Sequence, residues 1–134
     1  MSDWNSKIIE EFRTNGGKVG GPFEGAPLLL LTTTGAKSGQ RRTAPVMYLS
    51  DGDRMIIFAS KAGAPTNPDW YHNLMAHPDA TVEVGTETFA VKATVISGEE
   101  RDRLYAQQAK LYPGFADYQK KTTRQIPVVA LERR

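Results

Sequence analysis

The sequence predicts a mainly β, α+β domain: five or six mostly antiparallel strands with two or three helices packed outside the sheet. Three observations carry that prediction. Asp51-Gly52 separates two strand-like stretches, residues 42–50 and 54–60, and is a strong two-residue hairpin signal. Between Thr86 and Ile96, the residues Phe89, Val91, Ala93 and Val95 alternate with more polar ones, the pattern of a strand with one buried face. Residues 28–31 are an unbroken leucine run that passes into Thr32-Thr33-Thr34, a strand leading out of the core.

The elements follow in chain order. Residues 3–15 read as a helix, because Trp4, Ile8 and Phe12 recur every four positions, Ile9 widens the stripe and Gly16-Gly17 stops it. That stripe either packs on the domain or covers a ligand site or partner surface. Residues 18–27 are rich in Gly and Pro and read as a loop. Pro45 has no N–H to donate, so the second strand is expected at an edge or a bulge. Asn67-Pro68-Asp69 offers a cap, a proline for the first helical position and an acid for the positive helix end. The short helix that follows carries Trp70, Tyr71, Leu74 and Met75 and ends near His77-Pro78. Residues 80–84 and 86–96 form a second hairpin around Gly85. Ser97-Gly98-Glu99-Glu100 fits a capping box for a helix with Leu104, Gln108, Leu111 and Tyr112 along one side. Pro113-Gly114 breaks it. Phe115, Tyr118 and Thr122 share a face of a short final helix, and residues 126–131 are the last strand, with Pro127 again marking an edge or bulge.

At 134 residues, one domain over 1–134 is expected, with a helix over 1–16 and the sheet and its other helices over 27–134. That length buries a core without metals or disulfides. The charge, 17 basic against 15 acidic side chains, does not argue for nucleic acid. The lack of cysteine excludes a disulfide scaffold, a thiolate nucleophile and cysteine-ligated metal. No apolar run resembles a signal peptide or reaches membrane-spanning length, so a cytoplasmic protein is expected.

The functional signal is concentrated in residues 28–61. Lys37, Arg41 and Arg42 stand there among Thr32, Thr33, Thr34, Ser38, Gln40, Thr43 and Ser60. Such a set surrounds a phosphate or carboxylate, although an ordinary solvated turn is also polar. No GxxxxGK[ST] is present, so this is not a P-loop. His72 and His77 fall on different helix faces with no third ligand, so no metal site is expected. The absence of GxSxG argues against hydrolysis. Lys120, Lys121 and Arg124 read as a solvated helix face rather than a nucleic-acid surface. What remains is a site with cations and donors but no acid–base pair. It suits an anionic cofactor that brings its own chemistry, or a non-enzymatic module that carries an anionic small molecule.

The segments LLLLTTTGAKSGQRRTAPVMYL and DGDRMIIFASKAGAPTNPDWYHNLMAHPDATVEV resemble the deazaflavin-dependent nitroreductase, or F420H2-dependent quinone reductase, family. TGxKSG, ASKxG and NPxWYxNL are specific in combination, and the likeness continues through YPGFADYQKKTTRQIPVVAL. The resemblance implies a split β-barrel with peripheral helices, like the flavin-reductase and pyridoxamine-phosphate-oxidase folds, with coenzyme F420 in place of flavin mononucleotide. It implies hydride transfer from reduced F420 to a quinone or related small electrophile, with nitroaromatics as further acceptors. A flavin mononucleotide-dependent oxidoreductase of the same fold is the close alternative. An actinobacterial source, a homodimer and peripheral membrane contact are further implications, the last through Trp4, Ile8, Ile9 and Phe12.

Carried onto this sequence, the resemblance assigns Lys37, Ser38, Gln40, Arg41 and Arg42 to the cofactor's phosphate and acidic tail, with Thr43 and Pro45 shaping the adjoining wall. Ala59, Ser60, Lys61, Ala62 and Gly63 line the deazaflavin, their backbone amides facing ring carbonyls and Gly63 allowing close approach. Pro68, Trp70, Tyr71 and Asn73 complete the block, with core packing as the alternative for Trp70. Trp4, Ile8 and Phe115 form the substrate pocket, and Ser60, Tyr112 and Tyr118 are the catalytic donors. Phe115 stands where some family members have tyrosine. Phenylalanine cannot donate a hydrogen bond, which weakens the case for nitro reduction and leaves quinone reduction to the other donors.

Overall fold

The computed structural model describes residues 3–20 and 27–134, apart from the side chains of Asp3, Trp4, Asn5 and Ala62. The expected roles of the Trp4 and Ala62 side chains, and most of the loop over 18–27, therefore lie outside the described residues. The elements are α1 (Asp3–Thr14), β1 (Leu28–Thr34), β2 (Arg41–Asp51), β3 (Arg54–Phe58), α2 (Asp69–Ala76), β4 (Asp79–Val84), β5 (Glu87–Ile96), α3 (Gly98–Leu111), α4 (Gly114–Lys121) and β6 (Val128–Arg133), with a single 3-10 turn at Lys61–Gly63. The six strands close into a barrel in the order β1-β2-β3-β6-β5-β4, and every neighbouring pair is antiparallel.

The pairing explains Pro45. Residues 41–47 of β2 pair with β1, and residues 48–51 pair with β3. Pro45 lies in the first portion, which has a single partner strand, so the barrel tolerates a residue without an N–H there. Pro127 directly precedes β6, and its carbonyl accepts the Ala59 N–H at 3.0 Å.

Three apolar clusters follow from strand alternation. Leu29, Leu31, Val46, Ile57, Val82, Val91, Val129 and Leu131 fill the barrel, with Leu74 of α2 plugging one end. Leu28 and Leu30 point outward against Ile8 and Phe12 of α1. Ile56, Phe58, Val128 and Ala130 point outward beneath Leu104 and Tyr105 of α3 and Phe115 of α4. Strands β1, β3 and β6 are thus buried on both faces, which is why their sequences are continuous apolar runs; each such Leu, Ile or Val contributes about 1.5–3 kcal/mol. In β5 the outward positions Lys92 and Thr94 stay exposed, so the sequence alternates there; Val95, in the inward row with Val91 and Ala93 and opposite Val129, is nonetheless 42% exposed, against the expected buried face.

Several local expectations are corrected. Ile8 is 8% exposed and packs with Phe12 in the outer cluster, while Ile9 beside it is half-buried. Pro68, not Asn67, occupies the cap position of α2, because the Asn67 side-chain oxygen accepts from Arg124. Ser97 caps α3 by position, but its side chain makes no cap hydrogen bond, so the capping box does not form. No helix among the described residues is long and apolar enough to cross a membrane.

Candidate functional site

The inward row of β1 runs Leu29, Leu31, Thr33, and the facing row of β2 runs Val46, Ala44, Arg42. Both rows turn from apolar to polar at the same end of the barrel. There α2 lies across the mouth, with Leu74 buried and Trp70 and Tyr71 half-buried against the interior cluster. Between α2, the β1–β2 loop and Lys61 is a cavity of ≈ 940 Å³, lined by Thr33, Gly35, Ala36, Lys37, Ser38, Arg42, Thr43, Ala44, Lys61, Pro68, Asp69, Trp70, His72 and Asn73.

The loop that carries Lys37 is held from both sides. Gly35 N–H donates to the Gln40 carbonyl at 2.7 Å, Gly39 N–H to the Gly35 carbonyl at 3.0 Å, and Gln40 N–H to Ser38 Oγ at 3.2 Å. A Cβ on Gly35 would stand 2.5 Å from Ser38 Oγ and 3.2 Å from the Gln40 carbonyl oxygen, so a larger residue there would displace the Ser38 hydroxyl that accepts the Gln40 N–H. From the other side Asn73, 8% exposed, donates through Nδ2 to Thr33 Oγ1 and accepts the Ala36 N–H through Oδ1, both at 3.0 Å. Asn73 therefore fastens α2 to the loop and to β1, whatever else it touches.

The opposite wall is the segment 59–67. Lys61 has φ 46°, the one positive value at a non-glycine among the described residues, and its Nζ donates to Thr66 Oγ1 at 3.3 Å. Sparsely populated backbone conformations of this kind cluster at functional sites. Gly63 has φ 82°, and a Cβ there would lie 2.9 Å from the Tyr118 carbonyl oxygen and from Lys121 Cβ. The close approach that Gly63 permits is that of α4. Behind the wall stands Arg124, half-buried, whose guanidinium is held below its ordinary value by that burial. Lys120 and Lys121 are exposed on α4, but Arg124 lies beyond the helix and is no part of a solvated face.

Lys37, Arg42 and Lys61 thus meet at one cavity, and none forms an ion pair among the described residues. Asp69 is the single carboxylate in the lining. Arg41 is separated from this group because neighbouring strand residues face opposite ways. Its Nη2 donates to Thr81 Oγ1 at 3.1 Å, and it lines a second cleft of ≈ 630 Å³ against Ser6, Ile9, Glu10, Arg13 and Thr14 of α1, which also touches Arg42 and Thr43. Arg13 in that cleft is paired with Glu83 at 2.8 Å.

Of the other expected residues, Gln40 closes the loop through its backbone, and Pro45 sits opposite Leu30 on the outer row. Tyr71 packs on the interior cluster, and Ser60 is buried beside Lys61. Tyr112, Phe115 and Tyr118 belong to the outer cluster beneath α3 and α4. Phe115 is 9% exposed, with edge-to-face contacts to Phe58 at 5.8 Å and Tyr118 at 5.2 Å, so it is core rather than cleft wall. Thr33, one of the hydroxyls expected around the cations, lines the cleft, and so do His72, Asp69 and Ala44, to which no ligand role was assigned. The alternation that pairs Ala44 with Arg42 was the available signal for one of them; Arg124 offered none.

This donor set fits coenzyme F420: three cations without acidic partners suit its anionic groups, and Trp70 gives an aromatic wall. The volume falls within the range of about 300–1,000 Å³ usual for cofactor sites. The comparisons agree. The chain matches the F420H(2)-dependent quinone reductase family over residues 4–133. It is 43% identical over 129 residues to an F420H(2)-dependent quinone reductase of Mycobacterium tuberculosis, covering 92% of this chain and 85% of that relative. A solved F420-H2 dependent reductase, FDR-A, is 40% identical with TM-score 0.72, over 79% of this chain and 94% of that one. A structure described as a domain-swapped dimer is 37% identical with TM-score 0.74, over 95% and 93%. A pyridoxamine 5'-phosphate oxidase from Listeria innocua, 11% identical with TM-score 0.59 over 98% and 94%, shares the barrel fold alone. The cations converging on the barrel mouth and these likenesses lead to one assignment: the chain belongs to the F420H(2)-dependent quinone reductase family, oxidoreductases whose cofactor is reduced coenzyme F420.

Proposed function

We propose that the protein transfers a hydride from reduced F420, bound in the ≈ 940 Å³ cavity, to a quinone or a similarly small electrophile. The observation that carries this reading is the meeting of Lys37, Arg42 and Lys61 at the barrel mouth. Lys37 and Arg42 hold the phosphate and the acidic tail, Arg42 as a planar fork and Lys37 as a point charge. Thr43 and Ser38 add hydroxyl groups beside them. The Ser60 and Lys61 N–H groups of the wall over 59–63 face the ring, with Trp70 and Pro68 adjoining, while the Ala59 N–H is taken by the Pro127 carbonyl and Gly63 turns to α4. When bound, the cofactor supplies the hydride.

The chain's own contribution is to bind, orient and exclude water, with cations near the charge that develops on the acceptor. Of the three expected donors, Ser60 adjoins the cleft through Lys61, while Tyr112 and Tyr118 are seated in the outer cluster. Ser60 is therefore the donor assigned to the acceptor oxygen. The same reading admits nitroaromatics as small electrophiles and, from the likeness to the domain-swapped dimer, a homodimeric assembly.

Separate titrations with F420 and flavin mononucleotide test the reading, followed by mixing the reduced F420 complex with menadione. F420 binding with rapid return of F420 absorbance is expected. Flavin binding without F420 binding contradicts the cofactor assignment. F420 binding without reoxidation by several quinones contradicts the acceptor.

A further inference from the structure

The guanidinium of Arg124 meets four acceptors. Nη1 donates to the Ala59 carbonyl at 3.1 Å and to Asn67 Oδ1 at 2.7 Å, Nη2 to the Ser60 carbonyl at 2.9 Å, and Nε to the Ala64 carbonyl at 3.0 Å. All four belong to the wall that carries Lys61 and leads into α2. No carboxylate pairs with Arg124 among the described residues. Its own backbone is anchored in turn. The Arg124 carbonyl accepts from Gln119 Nε2 at 2.8 Å, and Gln119 Oε1 accepts from the buried Arg101 at 2.8 Å and from Ile126 N–H at 3.1 Å.

We propose that Arg124 is a positioning residue of the cofactor site, acting through the backbone of residues 59–67; the proposal rests on the F420 reading above. In a planar trans peptide the N–H points opposite to the preceding carbonyl. With the Ala59 and Ser60 carbonyls turned to Arg124, the Ser60 and Lys61 N–H groups face away from it, and neither has a partner among the described residues. A guanidinium on the carbonyls polarises those peptides and strengthens their N–H groups as donors. Two adjacent free donors beside Lys61 suit a carbonyl oxygen of a bound ring. The same grip holds Lys61 in its left-handed conformation and sets where α2 begins. Lysine cannot replace the residue, because an ammonium on one atom does not span four separated acceptors.

The test compares wild type, Arg124→Lys and Arg124→Ala, first without cofactor by hydrogen exchange and then by titration with F420. Both variants should exchange the amides of 59–67 at least about tenfold faster while β1 and β5 keep their protection. The F420 dissociation constant should rise about tenfold or more, with saturated turnover changed less than about threefold. Millimolar ethylguanidinium should restore F420 affinity to Arg124→Ala but not to Arg124→Lys. Wild-type exchange in 59–67 together with wild-type affinity overturns the proposal, and so does a uniform loss of protection through the barrel, which is the mark of a merely structural role. If Arg124→Ala does not fold, Asn67→Ala removes one acceptor and should speed exchange in the same segment; no change there also overturns it. Wild type that binds no F420, with faster exchange confined to 59–67 in the variants, refutes the cofactor reading and upholds the grip on the segment.

Discussion

Gln108 of α3 is completely buried, and neither Nε2 nor Oε1 has a partner among the described residues. A buried amide left unpaired costs about 1–3 kcal/mol. Gln108→Met keeps the volume and removes the polar atoms, so it should raise the melting temperature, by about 3–5 °C per kcal/mol recovered. Thermal unfolding checks this; a lower melting temperature would show that the amide is satisfied after all. Periodicity alone placed Gln108 on the same helix side as Leu104, and that position is correct. What periodicity cannot show is whether a polar atom on a buried face finds a partner. Asn73 and Arg124 make the same point from the other side. Their partners are the Thr33 hydroxyl, the Asn67 side-chain oxygen and backbone groups from Ala36 to Ala64, some 37 to 65 positions away. No local pattern encodes such bonds.

Elements were more legible than the links between them. The hairpin after Asp51 and the double burial behind the leucine run of β1 stand in the fold, because each depends on near neighbours in sequence; the two loop residues are Gly52-Asp53, since Asp51 pairs with Arg54, and the buried row of β5 holds at Val91 and Ala93 but not at Val95. The capping box at Ser97 did not form: its side chain makes no cap bond, and Gly98, the first residue of α3, has φ 67° rather than a helical value. The joint between α3 and α4 was also invisible. There the Tyr105 hydroxyl donates to the Phe115 carbonyl at 2.6 Å, and burial pushes the phenol from 10.0 up to about 12. The sign follows from linkage. Below pH 10 the contribution is intact; from there to about pH 12 the unfolded chain releases a proton that the folded chain keeps, so stability falls. Tyr105→Phe lacks this loss. Its stability deficit relative to wild type should shrink between pH 10 and 12, measured by denaturant unfolding at several pH values; a constant deficit would contradict the shifted phenol.

Closure of the barrel decides what the whole molecule can do. Strand β4 returns to pair with β1, and β3 pairs with β6 across a long stretch of chain, so one end becomes a mouth that α2 covers. The six-strand count was within the expected range, but the strand order and the mouth are long-range facts that local signals do not carry. Their consequence is sharpest at two adjacent arginines. Sequence and resemblance placed Arg41 and Arg42 around one anion; the barrel gives Arg42 to the mouth and turns Arg41 toward Thr81 on the outside. The most direct test of the cofactor's place is therefore the F420 affinity of Arg42→Ala against that of Arg41→Ala. Loss of a charge-assisted contact should weaken binding by about tenfold or more in Arg42→Ala, with saturated turnover nearly intact, and by less than about twofold in Arg41→Ala. Equal losses in both, or a larger loss in Arg41→Ala, would contradict the site at the barrel mouth.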